Sequence, residues 1–186
     1  MFVMFNSEVR ASNTFTSSST VTVNAGGCDY VVQISFTCAP YAGIPIPYLV
    51  DSYYLVDPSC TTTLSENEIA NAISNKIAED PSWNLIDCSS SYPPCSGQYR
   101  GVWTQIEANC MYKKTYVTAH GLRTVVLVCH DEGYCETDWE YCFNGVDVIG
   151  TPVNWVASAW NCDTIVPPNP PSGSSSTCFK VVTNCD

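Results

Sequence analysis

Twelve cysteines without a single CxxC pair constrain this chain more than any other feature. They stand at Cys28, Cys38, Cys60, Cys88, Cys95, Cys110, Cys129, Cys135, Cys142, Cys162, Cys178 and Cys185. An even number at this density belongs to an oxidising, extracellular setting, with up to six disulfides. A structural zinc site needs closely set Cys and His ligands. Only His120 and His130 accompany the cysteines, so the reading is disulfide rather than metal, and no cofactor is expected. Twelve cysteines allow roughly ten thousand complete pairings, so connectivity is not derivable. Short separation nominates only two local loops, Cys88–Cys95 and Cys178–Cys185. None of the thirteen Asn lies in an N-x-Ser/Thr sequon, which leans toward a prokaryotic source.

The cysteines staple a chain of 186 residues, the size of one domain. Its hydrophobic share of 45% is enough for a real core, whereas charged residues make up only 13%. A net charge of −11 on seven basic residues excludes nucleic acid and anionic membrane surfaces as partners. The nearest thing to a basic patch is Lys113 with Lys114, which is too little. The opening "MFVMF" lacks the basic region and the apolar stretch of a signal peptide. No run of 18 apolar residues follows, so no membrane-spanning helix is expected.

Strand chemistry dominates the rest. In "CDYVVQISFTC", Tyr30, Val32, Ile34 and Phe36 alternate with polar residues, the mark of a half-buried strand. Gly26-Gly27 before it is a hairpin or bulge signal. Further strands are expected in "YLVDSYYLVD", "YRGVWTQIEANC", "MYKKTYVTA", "LRTVVLVCH", "YCETDWEYCF", "VNWVASAWNC" and "CFKVVTNC". Val125–Val128 reads as the core of a central strand covered on both faces. Turn signals between them come at the intervals of a β-sandwich. One segment differs. Ser65 and Glu68 form a capping box, Ile69, Ile73 and Ile77 recur every four residues, and Pro81 stops the run. A helix is therefore expected over 65–80, lying as a lid on a sheet or sandwich end. The Pro- and Ser-rich stretch 166–177 reads as a long surface loop that returns a last strand.

The acidic cluster "CHDEGYCETDWEYC" is the nearest thing to a chemical site. Glu136, Asp138 and Glu140 could supply oxygen ligands for Ca²⁺ or a carboxylate pair for glycoside hydrolysis. Strand alternation offers a plainer account: Thr137, Trp139, Tyr141 and Phe143 face inward and the three acids face water. No nucleophile elbow or phosphate loop is present, and both histidines sit beside turn glycines or acids. No catalytic or metal residue is therefore assigned, and the chain is not read as an enzyme. The tryptophans Trp83, Trp103, Trp139, Trp155 and Trp160 could build a carbohydrate-stacking face, but core packing explains such residues equally. Trp155 and Trp160 lie on opposite faces of a regular strand, so one of them could be exposed.

The first 24 residues precede every cysteine and have extended-chain composition. Left loose, such a segment is an aggregation hazard unless it pairs in its own domain or completes a neighbour's sheet. A free arm (1–24) before an all-β body (25–186) resembles the layout of bacterial pilus and fibril subunits that assemble by donor-strand exchange. That resemblance implies an immunoglobulin-like β-sandwich, into which the 65–80 helix read from the sequence is inserted. It also implies a structural role, as subunit of an extracellular, cell-surface helical fibre whose partners are copies of itself. Phe2, Met4, Phe5, Val9 and Phe15 would then be the donor side chains. The alternative is a secreted carbohydrate-binding or adhesin module with a glycan ligand, and a glycosidase comes third.

If the extracellular reading holds, thiol titration of the denatured, unreduced protein should find no more than two free thiols, at least five bridges having formed. Four or more free thiols would contradict it.

Overall fold

A computed structural model describes residues 15–37, 46–80, 92–97, 101–130 and 132–186. Phe2, Met4, Phe5, Val9, Cys38, Trp83, Cys88 and Asp131 lie outside them. The described elements are β1 (Ser17–Ala25), β2 (Cys28–Phe36), β3 (Ile46–Leu55), α1 (Glu66–Glu79), β4 (Gly101–Ala108), β5 (Cys110–Thr118), β6 (Gly121–Val128), β7 (Tyr134–Phe143), β8 (Val148–Ala157) and β9 (Phe179–Lys180). Among the described residues the protein is mainly β, with one helix.

β2 buries Tyr30, Val32, Ile34 and Phe36 and turns the residues between them outward, as its alternation requires. Gly26 and Gly27, at φ 59° and 84°, close a two-residue hairpin back onto β1. A Cβ on Gly26 would also meet Thr62 Oγ1 at 2.1 Å, so a side chain is excluded by space as well as by conformation. Ser17–Ala25 pair with Phe36–Cys28 in unbroken register, and Phe15 packs against the same core. This corrects the expected arm. Ser17–Ala25 belong to the chain's own sheet, and Phe15 packs partly buried against its core, so the stretch left for an arm ends before them.

All nine strands join one mixed sheet. The main path runs β8-β7-β4-β3-β6-β5-β9, with β2 on the other side of β3 and β1 beyond it. β3 is the branch point. Its residues 46–49 run parallel to 103–106 of β4, while Ser52 and Tyr53 pair antiparallel with Leu127 and Val126 of β6. A single connected sheet with a parallel pair does not by itself establish the immunoglobulin-like sandwich that the strand spacing suggested. β6 is central, but only Val126 and Val128 of its apolar run are buried; Val125 and Leu127 are half-buried, so its second face is incompletely covered. The final strand is reduced to two residues, and the 166–177 connector runs beside β5, with Gly173 N–H bonded to Thr115 O and Ser176 N–H to Lys113 O.

The helix begins and ends as its sequence dictates. The Ser65 side chain accepts from Glu68 N–H, and the Glu68 carboxylate accepts from Ser65 N–H at 2.7 Å. The helix lies over the sheet, as expected of a lid. α1 is the crossover that a parallel pair requires between β3 and β4, and it lies against the sheet with Ile69, Ala70, Ile73, Ser74, Ile77 and Ala78 buried. Tyr53 Oη donates to Glu66 in its first turn, and Tyr141 Oη donates at 2.7 Å to Ala78 O in its last. The Tyr141 ring fits because β8 offers Gly150 there: a Cβ would lie 2.5 Å from Tyr141 Cε1.

Gln105, fully buried on β4, fastens the middle of the helix. Its Nε2 donates to Ser74 O and Oγ at 3.1 and 2.8 Å. Its Oε1 accepts from Trp139 Nε1 on β7 at 2.7 Å, and from Asn184 Nδ2 at 3.5 Å.

Five disulfides bind the described residues: Cys28–Cys60, Cys95–Cys142, Cys110–Cys162, Cys129–Cys178 and Cys135–Cys185, and none of the described cysteines is free. The expected local loops do not form, since Cys95 reaches Cys142, Cys178 reaches Cys129 and Cys185 reaches Cys135. Short separation is a poor guide where the sheet brings distant strand ends together. The bridges span 32 to 52 residues, and loops of that size restrict the unfolded chain by about 4 kcal/mol each in the chain-entropy account.

Gln105→Leu would leave the Trp139 N–H without its partner in the core. About 1–3 kcal/mol per orphaned group is expected, read as a lowered Tm and a lower denaturant midpoint. Ser74→Ala, which removes only the hydroxyl, should cost less.

Candidate functional site

Three places on the molecule could carry function: the acidic face of β7, the open edge of β8, and a cleft beside the start of α1.

On β7 the expected alternation holds. Thr137, Trp139 and Tyr141 are buried, and the Trp139 and Tyr141 rings stack at 6.3 Å. Phe143 departs from it, lying exposed at the strand end. Glu136, Asp138 and Glu140 share the other face but are half-buried rather than fully in water. The reason is their neighbours: Ile106, Thr104 and Val102 of β4 stand opposite them on one side, and Val156, Asn154 and Thr151 of β8 on the other. No cation occupies those positions. Thr104 Oγ1 donates to Asp138 at 2.7 Å. Burial, and then the Asp138 charge, push the Glu136 carboxyl above its ordinary range. Among the described residues no three His, Cys, Asp or Glu side chains converge to hold a metal ion. His120 and His130 are both exposed.

β8 is the end of the main strand path, and its outer edge pairs with nothing among the described residues. It exposes Ile149, Val153, Trp155 and Val156, with Trp155 63% exposed. Trp155 stands opposite Thr137, on the face that is buried further along the sheet. Trp103 and Trp139 are core residues. Trp160 is also exposed, at 41%, with Lys180 Nζ 5.2 Å from its ring. Both members of the Trp155–Trp160 pair therefore meet solvent. Pro152 and a register shift beside it interrupt the edge and divide it into two short stretches.

The cleft encloses about 480 Å³ between β3, the β5–β6 hairpin, the first turn of α1 and the connector. Lys113 forms its floor. The two adjacent lysines of β5 point to opposite faces, and Lys113 turns inward, 6% exposed, to meet Glu66 at 2.9 Å. Its Nζ also donates to Pro167 O at 3.3 Å. Arg123 of β6 lies over the Tyr54 ring at 4.4 Å, with its Nε buried and without a hydrogen-bond partner among the described residues. The remaining walls include Tyr30, Tyr53, Thr115, Thr124 and Asn169. The sequence reading passed over this group. Alternation through Met111, Lys113 and Thr115 was the available signal for an inward lysine, but only the fold shows that Glu66 and Arg123 lie near it.

Comparison with protein-family models, with curated proteins and with solved structures found no match.

The acidic face yields a pH test. A carboxyl raised in the folded state favours folding while protonated, so its contribution is full below the unfolded carboxyl pKa and lost as pH rises through the folded one. Glu136→Gln should therefore flatten the decline in Tm above the ordinary carboxyl range and leave the fold unchanged. A steeper decline, or the loss of a bound calcium ion from the Glu136→Gln/Asp138→Asn/Glu140→Gln variant, would show that the acids have a role beyond a partly covered surface.

Proposed function

We propose that the protein is a structural subunit of an extracellular filament, built by strand addition between copies. Residues 1–14 of one copy, led by Phe2, Met4, Phe5 and Val9, add to the open edge of β8 in the next. The observation that carries this reading is that edge: a ten-residue strand whose outer side pairs with none of the described residues, and which exposes four large apolar residues. Long apolar edges invite pairing with another chain. Backbone hydrogen bonds supply the affinity of such a contact, and alternate side chains fix its register.

Pro152 limits where the donor can lie. It has no N–H, so the favoured acceptor is the stretch from Asn154 to Ala157, which carries Trp155 and Val156. Five apolar residues at the start of the arm extend over roughly 17 Å, enough to cover it. Donor and acceptor are different surfaces, so the contact is head-to-tail and propagates instead of closing as a dimer. In this reading the body acts as the immunoglobulin-like module of such subunits, the two branches leaving β3 taking the part of its two sheets. Five disulfides and the lack of a membrane-spanning helix among the described residues fit a secreted, surface-exposed part, and the missing sequons suit a bacterial one.

Because β1 belongs to the body, the deletion that tests this must stop before it. Removing residues 1–14 should leave a folded monomer that forms no filaments by negative-stain microscopy. Val156→Lys in the full chain should do the same by placing a charge on the acceptor edge. Filaments from the truncated protein, or a full-length chain that stays monomeric at every concentration, would overturn the proposal.

A further inference from the structure

The turn between β7 and β8 lies at the other end of β8 from the proposed acceptor stretch, and its chemistry concerns its own chain alone. Of the thirteen asparagines, Asn144 alone precedes a glycine. Residues 144–147 are exposed, and Gly145 stands at φ 103° with open space where a Cβ would lie. The Asn144 side chain is folded forward over the peptide that follows it. Its Oδ1 accepts from Val146 N–H and from Asp147 N–H, both at 2.8 Å, while Asn144 N–H donates to Asp147 O at 3.0 Å. Gly145 N–H makes no hydrogen bond among the described residues.

We propose that this turn activates Asn144 for spontaneous conversion to aspartate and isoaspartate. The nucleophile is the Gly145 backbone nitrogen, which loses its proton to solvent hydroxide and attacks Asn144 Cγ. A new N–Cγ bond forms, the bond from Cγ to Nδ2 breaks, and the amide nitrogen leaves as ammonia with a proton taken from water. Water then opens the cyclic imide. Cleavage at Cγ leaves an aspartate, and cleavage at the main-chain carbonyl leaves an isoaspartate, whose backbone runs one carbon longer. Nothing is oxidised or reduced, since the net change is hydrolysis of one amide by one water. Two features of the turn favour the first step. The two N–H groups aimed at Oδ1 stand where negative charge develops as the nitrogen adds, the arrangement that stabilises an oxyanion. Glycine also has no side chain to crowd the approach of its nitrogen. Every other asparagine is followed by a residue with a side chain, and after Asn169 that residue is proline, with no N–H to lose.

The test follows the full chain, with its disulfides formed, through prolonged incubation at mildly alkaline pH, read by peptide mapping with mass spectrometry. Asn144 should gain about 1 Da, the change from an amide to an acid, and become a substrate for enzymatic methylation of isoaspartate. Its rate should exceed that of every other asparagine at least tenfold. It should also be at least threefold higher in the folded chain than in the same chain reduced and held in urea. Asn144→Gln, an exposed substitution that would have to close a larger ring, should remove the signal and leave the fold unchanged. Conversion no faster than at the other asparagines would overturn the site. A folded chain that reacts no faster than the unfolded one would overturn activation by the turn.

Discussion

One buried amide holds the architecture together. Gln105 sits on β4 between the helix and β7, and it satisfies the Ser74 carbonyl and hydroxyl on one side and the Trp139 indole on the other. Without it the helix would still be amphipathic and the strands would still alternate, but nothing polar would fix how α1 lies across them. Apolar contacts are non-directional and tolerate sliding, whereas a buried hydrogen-bond network accepts one arrangement. Tyr53 and Tyr141 extend that restraint to the two ends of the helix. The helix is thus bonded to β3 itself and to β4 and β7 on one branch.

The disulfides act on a different level. They join strand ends and connectors that the sheet has already brought close: Cys135–Cys185 fastens the C-terminal tail to β7, and Cys129–Cys178 ties the end of β6 to the start of β9. The tail is also held without covalent help, since Asn184 N–H donates to Glu107 at 2.9 Å. Burial pushes that carboxyl above its ordinary range, a cost borne inside the core where an apolar residue would incur none. Cross-links of long span suit a chain whose last strand has only two residues and could not hold its place by ladder bonds alone.

Charge is used sparingly and placed with consequence. The Lys113–Glu66 pair joins β5 to the first turn of α1 in the interior, where breaking one partner would strand the other. Arg123, one strand away on the cleft wall, has no such partner among the described residues. On the opposite side of the fold, the acids of β7 stand in a row without a cation in the neighbouring register. Beyond the acidic row lies the apolar edge of β8, at the end of the branch that leaves β3 through β4.

Much of this was legible in the residues, because it is local. The alternation of Tyr30, Val32, Ile34 and Phe36 named the buried face of β2, and Ser65 with Glu68 marked the start of the helix to the residue. Gly26-Gly27 announced the hairpin, and Trp139 and Tyr141 the inward face of β7. Each depends on backbone geometry over a few residues, which side-chain periodicity and capping report directly. What only the tertiary structure decided is which distant pieces meet. The parallel pairing of β3 with β4 made the helix a crossover as well as a lid. The disulfides followed the sheet rather than the spacing of the cysteines. The grouping of Glu66, Lys113 and Arg123 in one cleft draws on three elements, and residues 17–25 chose their own sheet over a neighbour's. Hydrophobic periodicity says which side of a strand is buried and carries no information about its partner, because any apolar face can satisfy it. Partners are chosen by chain connectivity, by volume, and by a few buried polar groups such as Gln105 that have only one place to bond.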